Sequence, residues 1–219
     1  MYSKLFKATL FVFFLIGFTS NINAQKAHEI ADEQILALKE GVLLVRLNES
    51  NKKIDWLRNA DKNAEAEKIE KEEAEMNSKI IEAFAESYDF SAYYFFYSKH
   101  AGEIKNGQFA NHLLDAQGQS VSSNVLEGKA YYVAEYGFIK NDAGNERAAG
   151  LRIMDNEYNQ LSPPFPYGEL SQIFIFTRPM TNIVKKFNNR LVRYFKDAEI
   201  RMLRRGYKTQ FKEETSGMD

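Results

Sequence analysis

The sequence predicts a layered α/β (or α+β) domain with a mixed sheet. Two compact strand-like runs, Val42–Leu47 and Phe90–Ser98, flank one long helical pattern over Lys52–Glu86. Strand, helix and strand in that order make a βαβ unit with parallel strands, because a parallel pair needs a long crossover. A turn-forming cluster at Lys140–Glu146 then joins the runs Lys129–Ile139 and Ala148–Met154 as a β-hairpin, and a strongly amphipathic helix follows near the end of the chain.

The first 24 residues are read as a leader. Lys4 and Lys7 form a positive start, Leu10–Phe18 an apolar centre, and Ala24 a small residue before Gln25. That is the pattern of a secretory signal peptide, with cleavage expected near Ala24/Gln25. The apolar run is well short of the roughly 18 residues a spanning helix needs. Residues 25–211 are expected to form a single domain, and 212–219 a polar, disordered tail. The chain has no cysteine, which leaves no disulfide, thiol nucleophile or thiolate metal site. Lys4 and Lys7 account for two of the 29 basic residues, so 27 face 30 acidic ones after cleavage, a net of −3. That balance calls for no nucleic acid and no anionic membrane as partner.

Taken in order, Ala27–Lys39 carries Ile30, Ile35, Leu36 and Leu38 among charges, an amphipathic helix with Gly41 at the place of a C-terminal cap. Val42–Leu47 is a buried strand interrupted by one polar residue, Arg46. Asn48–Asn51 offers helix N-caps. In Lys52–Glu86, Ile54 and Leu57 begin an apolar stripe that Ile69, Met76, Ile80 and Phe84 continue. The weakly apolar stretch Asn59–Ala66 predicts a kink or break. Unbroken, the helix would span roughly 50 Å and project beyond a single sheet.

Phe90–Ser98 is the most aromatic run after the leader and lacks clean polar alternation, so it predicts the central strand with protein on both faces. Lys99–Gly128 is the longest irregular region; Phe109, Leu113 and Leu114 suggest a short helix within it. After the hairpin, Tyr158–Leu161 predicts a third short strand, and Pro163, Pro164 and Pro166 stop regular pairing by removing three backbone donors. Ile173–Phe176 is apolar and does not distinguish helix from strand. Pro179 and Thr181 open the last helix, whose stripe runs through Ile183, Val184, Phe187, Leu191 and Ala198 and stops at Gly206.

The order of elements from Val42 to Arg205 resembles that of thioredoxin-like proteins: a parallel pair, an antiparallel pair, and helices on both faces. The likeness is one of order alone. The Cys-x-x-Cys pair is absent and no proline precedes the Ala130 strand, so the resemblance implies a fold without the redox chemistry.

Candidate chemistry is sparse. His100 follows the aromatic strand, at a position where open α/β sheets line their sites, with Glu103 close by in sequence; together they could supply a base or a metal ligand, against an ordinary loop histidine. Glu135 stands in an apolar strand, as a perturbed catalytic carboxylate or a salt-bridged one. Phe165 and Tyr167, held by prolines, form either a rigid recognition surface or a plug over the core. No helical zinc motif, esterase elbow or phosphate loop is found, and Asp155-x-Glu157-x-Asn159 fails as a calcium loop because Pro166 stands at its twelfth position. The last helix is basic and the long first one acidic; the two surfaces either offset one another or face water.

The expected function is that of an exported soluble protein, periplasmic or secreted, that binds an envelope protein or small ligand without catalysis or cofactor. Catalysis stays an open question, since the reading rests on missing signatures. Two alternatives stand beside it: a hydrolase working around His100, and a structural protein that assembles through the long helix.

Overall fold

The computed structural model describes residues 25–141, 144–173 and 176–216, the last ten of these and 146, 147, 173 and 176 by backbone alone. The expected leader and residues 217–219 lie outside that range. Five helices surround a seven-stranded mixed sheet. The helices are α1 (25–40), α2 (Asn51–Asn59), α3 (Asn63–Ser87), α4 (Ala101–Lys105) and α5 (Met180–Ser216). The strands are β1 (Val42–Leu47), β2 (Ala92–Tyr97), β3 (Leu113–Leu114), β4 (Ser120–Val121), β5 (Tyr131–Lys140), β6 (Glu146–Met154) and β7 (Gly168–Leu170). β8 (Gln172–Ile173) and β9 (Phe176–Thr177) form a separate antiparallel pair, so both described ends of the ambiguous 173–176 stretch are strand.

The sheet order is β4-β3-β2-β1-β5-β6-β7. β1 pairs in parallel with β2, as the βαβ reading requires, and also with β5; β5 and β6 form the expected hairpin. The centre is therefore β1 and not the aromatic strand. The physical reason is visible in burial: every β1 residue except Arg46 is at most 1% exposed, because both its edges are paired and both its faces covered.

Alternate residues of the strands serve two cores, as a period of two demands. Leu43, Val45 and Leu47 of β1 join Phe95 of β2, Ala134 of β5 and Leu151 and Ile153 of β6 in the larger one. Helices α1, α3 and α5 cover it with Ile35 and Leu38, Ile80 and Phe84, and Phe187 and Leu191. Val42, Leu44, Phe96 and Val133 face the other way, under Ile104 of α4 and Leu126. The aromatic strand thus meets protein on both faces, with Phe95 on one and Phe96 on the other.

The long helix is broken between Asn59 and Asn63, inside the stretch expected to kink or break, and α2 folds back on α3 through Ile54, Leu57, Ala66 and Ile69, a cluster separate from both sheet cores. Three other local expectations change. Leu113 and Leu114 pair as a strand beside β2 instead of forming a helix, since Leu113 fills the second core; the helix of this region is α4, eight residues earlier. Tyr158–Leu161 contributes a single bridge, Met154 to Gln160, and the next strand is β7. Helix α5 continues past Gly206 to Ser216, so 212–216 are helical where a disordered tail is expected; a glycine lowers helix stability without forbidding the helix. Among the described residues no helix is long and apolar enough to cross a membrane.

Candidate functional site

Residues in register on adjacent strands point to the same face. Arg46 of β1 pairs with Glu135 of β5, and Glu135 with Arg152 of β6. The three form a row at the C-terminal end of β1, where open α/β sheets bind ligands. Arg46 Nη1 donates to Glu135 Oε1 at 3.5 Å, and Arg152 Nη2 to Oε2 at 3.0 Å. Arg152 Nη1 also donates to the Phe138 carbonyl at 2.8 Å. The carboxylate, 14% exposed, is the single negative charge of the row, between two positive ones.

Tyr158 closes over this row. Its ring centroid is 5.8 Å from the Arg46 guanidinium carbon, and its hydroxyl donates to the Ala101 carbonyl at 2.8 Å. Burial pushes that hydroxyl's pKa up to about 12, against the opposing pull of Arg46. The backbone at Tyr158 has φ +65°, a left-handed conformation that a bulky residue adopts only when its surroundings impose it. Asp155 imposes it here: its carbonyl accepts from the Tyr158 N–H, and its Oδ1 accepts from the N–H groups of Glu157 and Asn159. The acidic stretch that superficially suits calcium is thus a turn that aims Tyr158.

The histidines lie at the same end of the sheet. His100 sits in a short 3-10 turn just past β2, and its ring stacks on that of His112 with centroids 4.1 Å apart. Burial and then the charges of His112 and Lys99 hold the pKa of His100 below its ordinary value, while Glu103 and Glu49 oppose them. Glu103, on α4, acts electrostatically on both His100 and Tyr158, and Glu135 acts on Tyr158, which links the three candidates from the sequence through shared neighbours. Buried polar atoms without a hydrogen-bond partner gather here too: Nε of Arg46, Nε of Arg152, Oε2 of Glu49 and Nδ1 of His112.

A pocket of about 300 Å³ opens beside the row. Lys140, Arg152, Tyr158, Asn159, Gln160 and Ser162 are among its walls, which carry two cations and, among the described residues, no carboxylate. Gln160 is locked by a reciprocal pair, accepting from the Lys140 N–H and donating to the Lys140 carbonyl, both at 2.9 Å. The arrangement can hold an anion; its amides and hydroxyl can bind the body that carries it.

Phe165 and Tyr167 lie elsewhere. Phe165 is 2% exposed in the larger core and Tyr167 packs against that core, so these rings plug the domain and do not form a recognition surface. Pro164, half-buried, and Pro166, buried, both line a cleft against α5. Among the described residues no group of three or more histidine, aspartate or glutamate side chains could hold a metal ion.

Arg46, Arg152, Tyr158 and His112 are absent from the sequence-level candidates. Arg46 carried a signal, as the one polar interruption of a buried strand. The others are joined to it only by register and loop closure. Comparisons with protein-family models, with curated proteins and with solved structures find no match for this chain.

Proposed function

We propose that this chain is an exported domain that binds, without catalysis, a small solute bearing an oxyanion group, at the C-terminal ends of its parallel strands. The observation that supports it most is the Arg46–Glu135–Arg152 row. One carboxylate serves two guanidinium groups, both Nε atoms stay buried without an acceptor, and the adjoining pocket adds Lys140 and, among the described residues, no acid. A buried unpaired donor costs about 1–3 kcal/mol, so an acceptor entering here is favoured. Both oxygens of Glu135 already accept from arginine, which suits orienting those cations and not taking a proton from a substrate. Export rests on the leader pattern of residues 1–24.

The test is a titration of the chain with inorganic phosphate and sulfate, followed by amide NMR shifts. Saturable shifts confined to Lys140, Arg152 and 158–162 are expected, weakened about tenfold in Lys140→Gln, equivalent to about 1.4 kcal/mol. Shifts spread evenly over the surface cations, or none that saturate, would overturn the reading.

A second reading, assembly through the helical arm of α2 and α3, is favoured by Trp56. The chain's only tryptophan lies 62% exposed on α2. Light scattering of the chain and of Trp56→Ala decides it: two identical monomers remove the reading.

A further inference from the structure

Independently of the strand-end pocket, Glu169 of β7, in register with Leu151 and so on the other face of the sheet from Arg152, gathers more positive charge than its own carboxylate offsets. Glu169 on β7 is buried, with its side chain 5% exposed. Three cations converge on it. Arg178 lies 2.7 Å from Oε1, Lys186 3.1 Å from the same oxygen, and Arg190 3.1 Å from Oε2. Arg190 also donates to the Gly168 carbonyl at 2.5 Å. Burial opposes ionisation of Glu169, but the hydrogen bonds from Lys186, Arg178 and Arg190 overcome it and hold its pKa below the usual carboxylate value. One negative charge therefore stands among three positive ones, leaving two positive charges within hydrogen-bond reach of a single carboxylate.

Beside this cluster opens a cleft of about 430 Å³, within the range of small-molecule sites, whose lining carries three cations against the two acids Glu169 and Asp197. Lys186, Arg190 and Arg193 line it from α5, at spacings of four and three that put them on one helix face. The Tyr194 ring and the prolines Pro164 and Pro166 make the apolar wall, and Asp197 is a lining acid besides Glu169. The loop wall is rigid for a reason: Phe165 is anchored in the core between the two prolines, and its ring lies 6.3 Å from that of Tyr194. Apolar wall and cationic wall face the same space.

We infer that this cleft binds an organic carboxylate with a flat apolar body, its carboxylate set against Lys186, Arg190 and Arg193 and its body against Pro164, Pro166 and Tyr194. The ligand's charge relieves the mutual repulsion of the cations around Glu169, and its apolar part leaves water. Glu169 is a positioning residue that holds the donors in place; the exposed amine of Lys186 and the Arg193 guanidinium meet the ligand.

Calorimetry and amide NMR with 2-naphthoate, and with 2-naphthylmethanol as the neutral body, test the inference. Saturable naphthoate binding is expected, at least about tenfold tighter than the alcohol, with shifts at 164–166, 186, 190, 193 and 194. Lys186→Gln and Arg193→Gln should each weaken naphthoate several-fold while leaving circular dichroism and the phosphate response of the strand-end pocket unchanged. Equal affinity for acid and alcohol, shifts that map elsewhere, or full naphthoate affinity in both variants would overturn it. Because phosphate reports on the other pocket, the two proposals fail separately.

Discussion

Asp32 of α1, wholly buried, is gripped by Arg201 of α5: Arg201 Nη2 donates to Oδ1 at 2.6 Å and Nε donates to both carboxylate oxygens at 3.2 Å. Arg205 adds a bond to Oδ2 at 2.7 Å. The pair ties the first described helix to the last, across 169 positions of sequence. Removing one partner of a buried pair leaves an uncompensated charge and costs about 3–5 kcal/mol; Arg205 and the partial exposure of Arg201 bring Arg201→Met toward the lower end. Urea denaturation measures it.

The same pair sets an acid limit. Burial raises the Asp32 pKa, but the hydrogen bonds and charges of Arg201 and Arg205 outweigh it and bring it below 3.8. A folded-state pKa below the unfolded one means stability that is present above about 3.8 and lost as pH falls through the folded value. Arg201→Met should flatten that acid slope in chemical denaturation measured from pH 5 downward. An unchanged slope would show that other carboxylates set it.

His100 titrates with the opposite chemistry and the same direction. Its folded pKa lies below 6.5 through burial and the charge of His112. The unfolded chain therefore binds more protons between the two values, and stability is full above about 6.5 and falls as pH drops below it. His112→Gln removes the stacked partner's charge, and the His100 shift seen by NMR should move up toward 6.5. If it does not move, burial and the charge of Lys99 set it without His112.

Gly41 is expected from sequence as a helix cap and is required for a different reason. A Cβ there would run into the backbone carbonyl oxygens of Ala130 and Ala37. Val42 N–H donates to that same Ala130 carbonyl at 3.0 Å, so the contact opens the β1–β5 pairing. Gly41→Ala should cost about 1–3 kcal/mol, the usual range for overpacking a closed site. A melting temperature equal to the parent's would contradict it.

Phe165 and Trp56 make a contrasting pair. Phe165→Ala should destabilise by about 3–5 kcal/mol, because a buried ring leaves a cavity. Trp56→Ala should stay within about 0.5 kcal/mol, since an exposed side chain has little to lose. As the only tryptophan, Trp56 also reports on the arm: acrylamide should quench it in the native state, and α2 amides should exchange before those of β1.

Much of this fold was legible in the chain. The βαβ unit, the hairpin and the last helix follow from hydrophobic period and turn residues, which act over a few positions. The break in the long helix was legible because Asn59–Ala66 has little apolar surface to bury. Leu113–Leu114 was not: two leucines look alike in either state, and Phe95 across the ladder chose the strand. Of the candidate residues, Glu135 came with no sign of its partners, since Arg46 lies 89 positions before it and Arg152 17 after.

The sequence by itself determined the main elements, the lack of cysteine and the two-faced burial of the strands, because each is set by neighbours within one or two turns of chain. Only the tertiary structure decided that β1 is the centre, that Phe165 is core, and that Glu135 and Glu169 are each held by arginines from distant segments. Strand register and helix docking bring those charges together. Both are chosen by the whole core at once, and no local pattern encodes them.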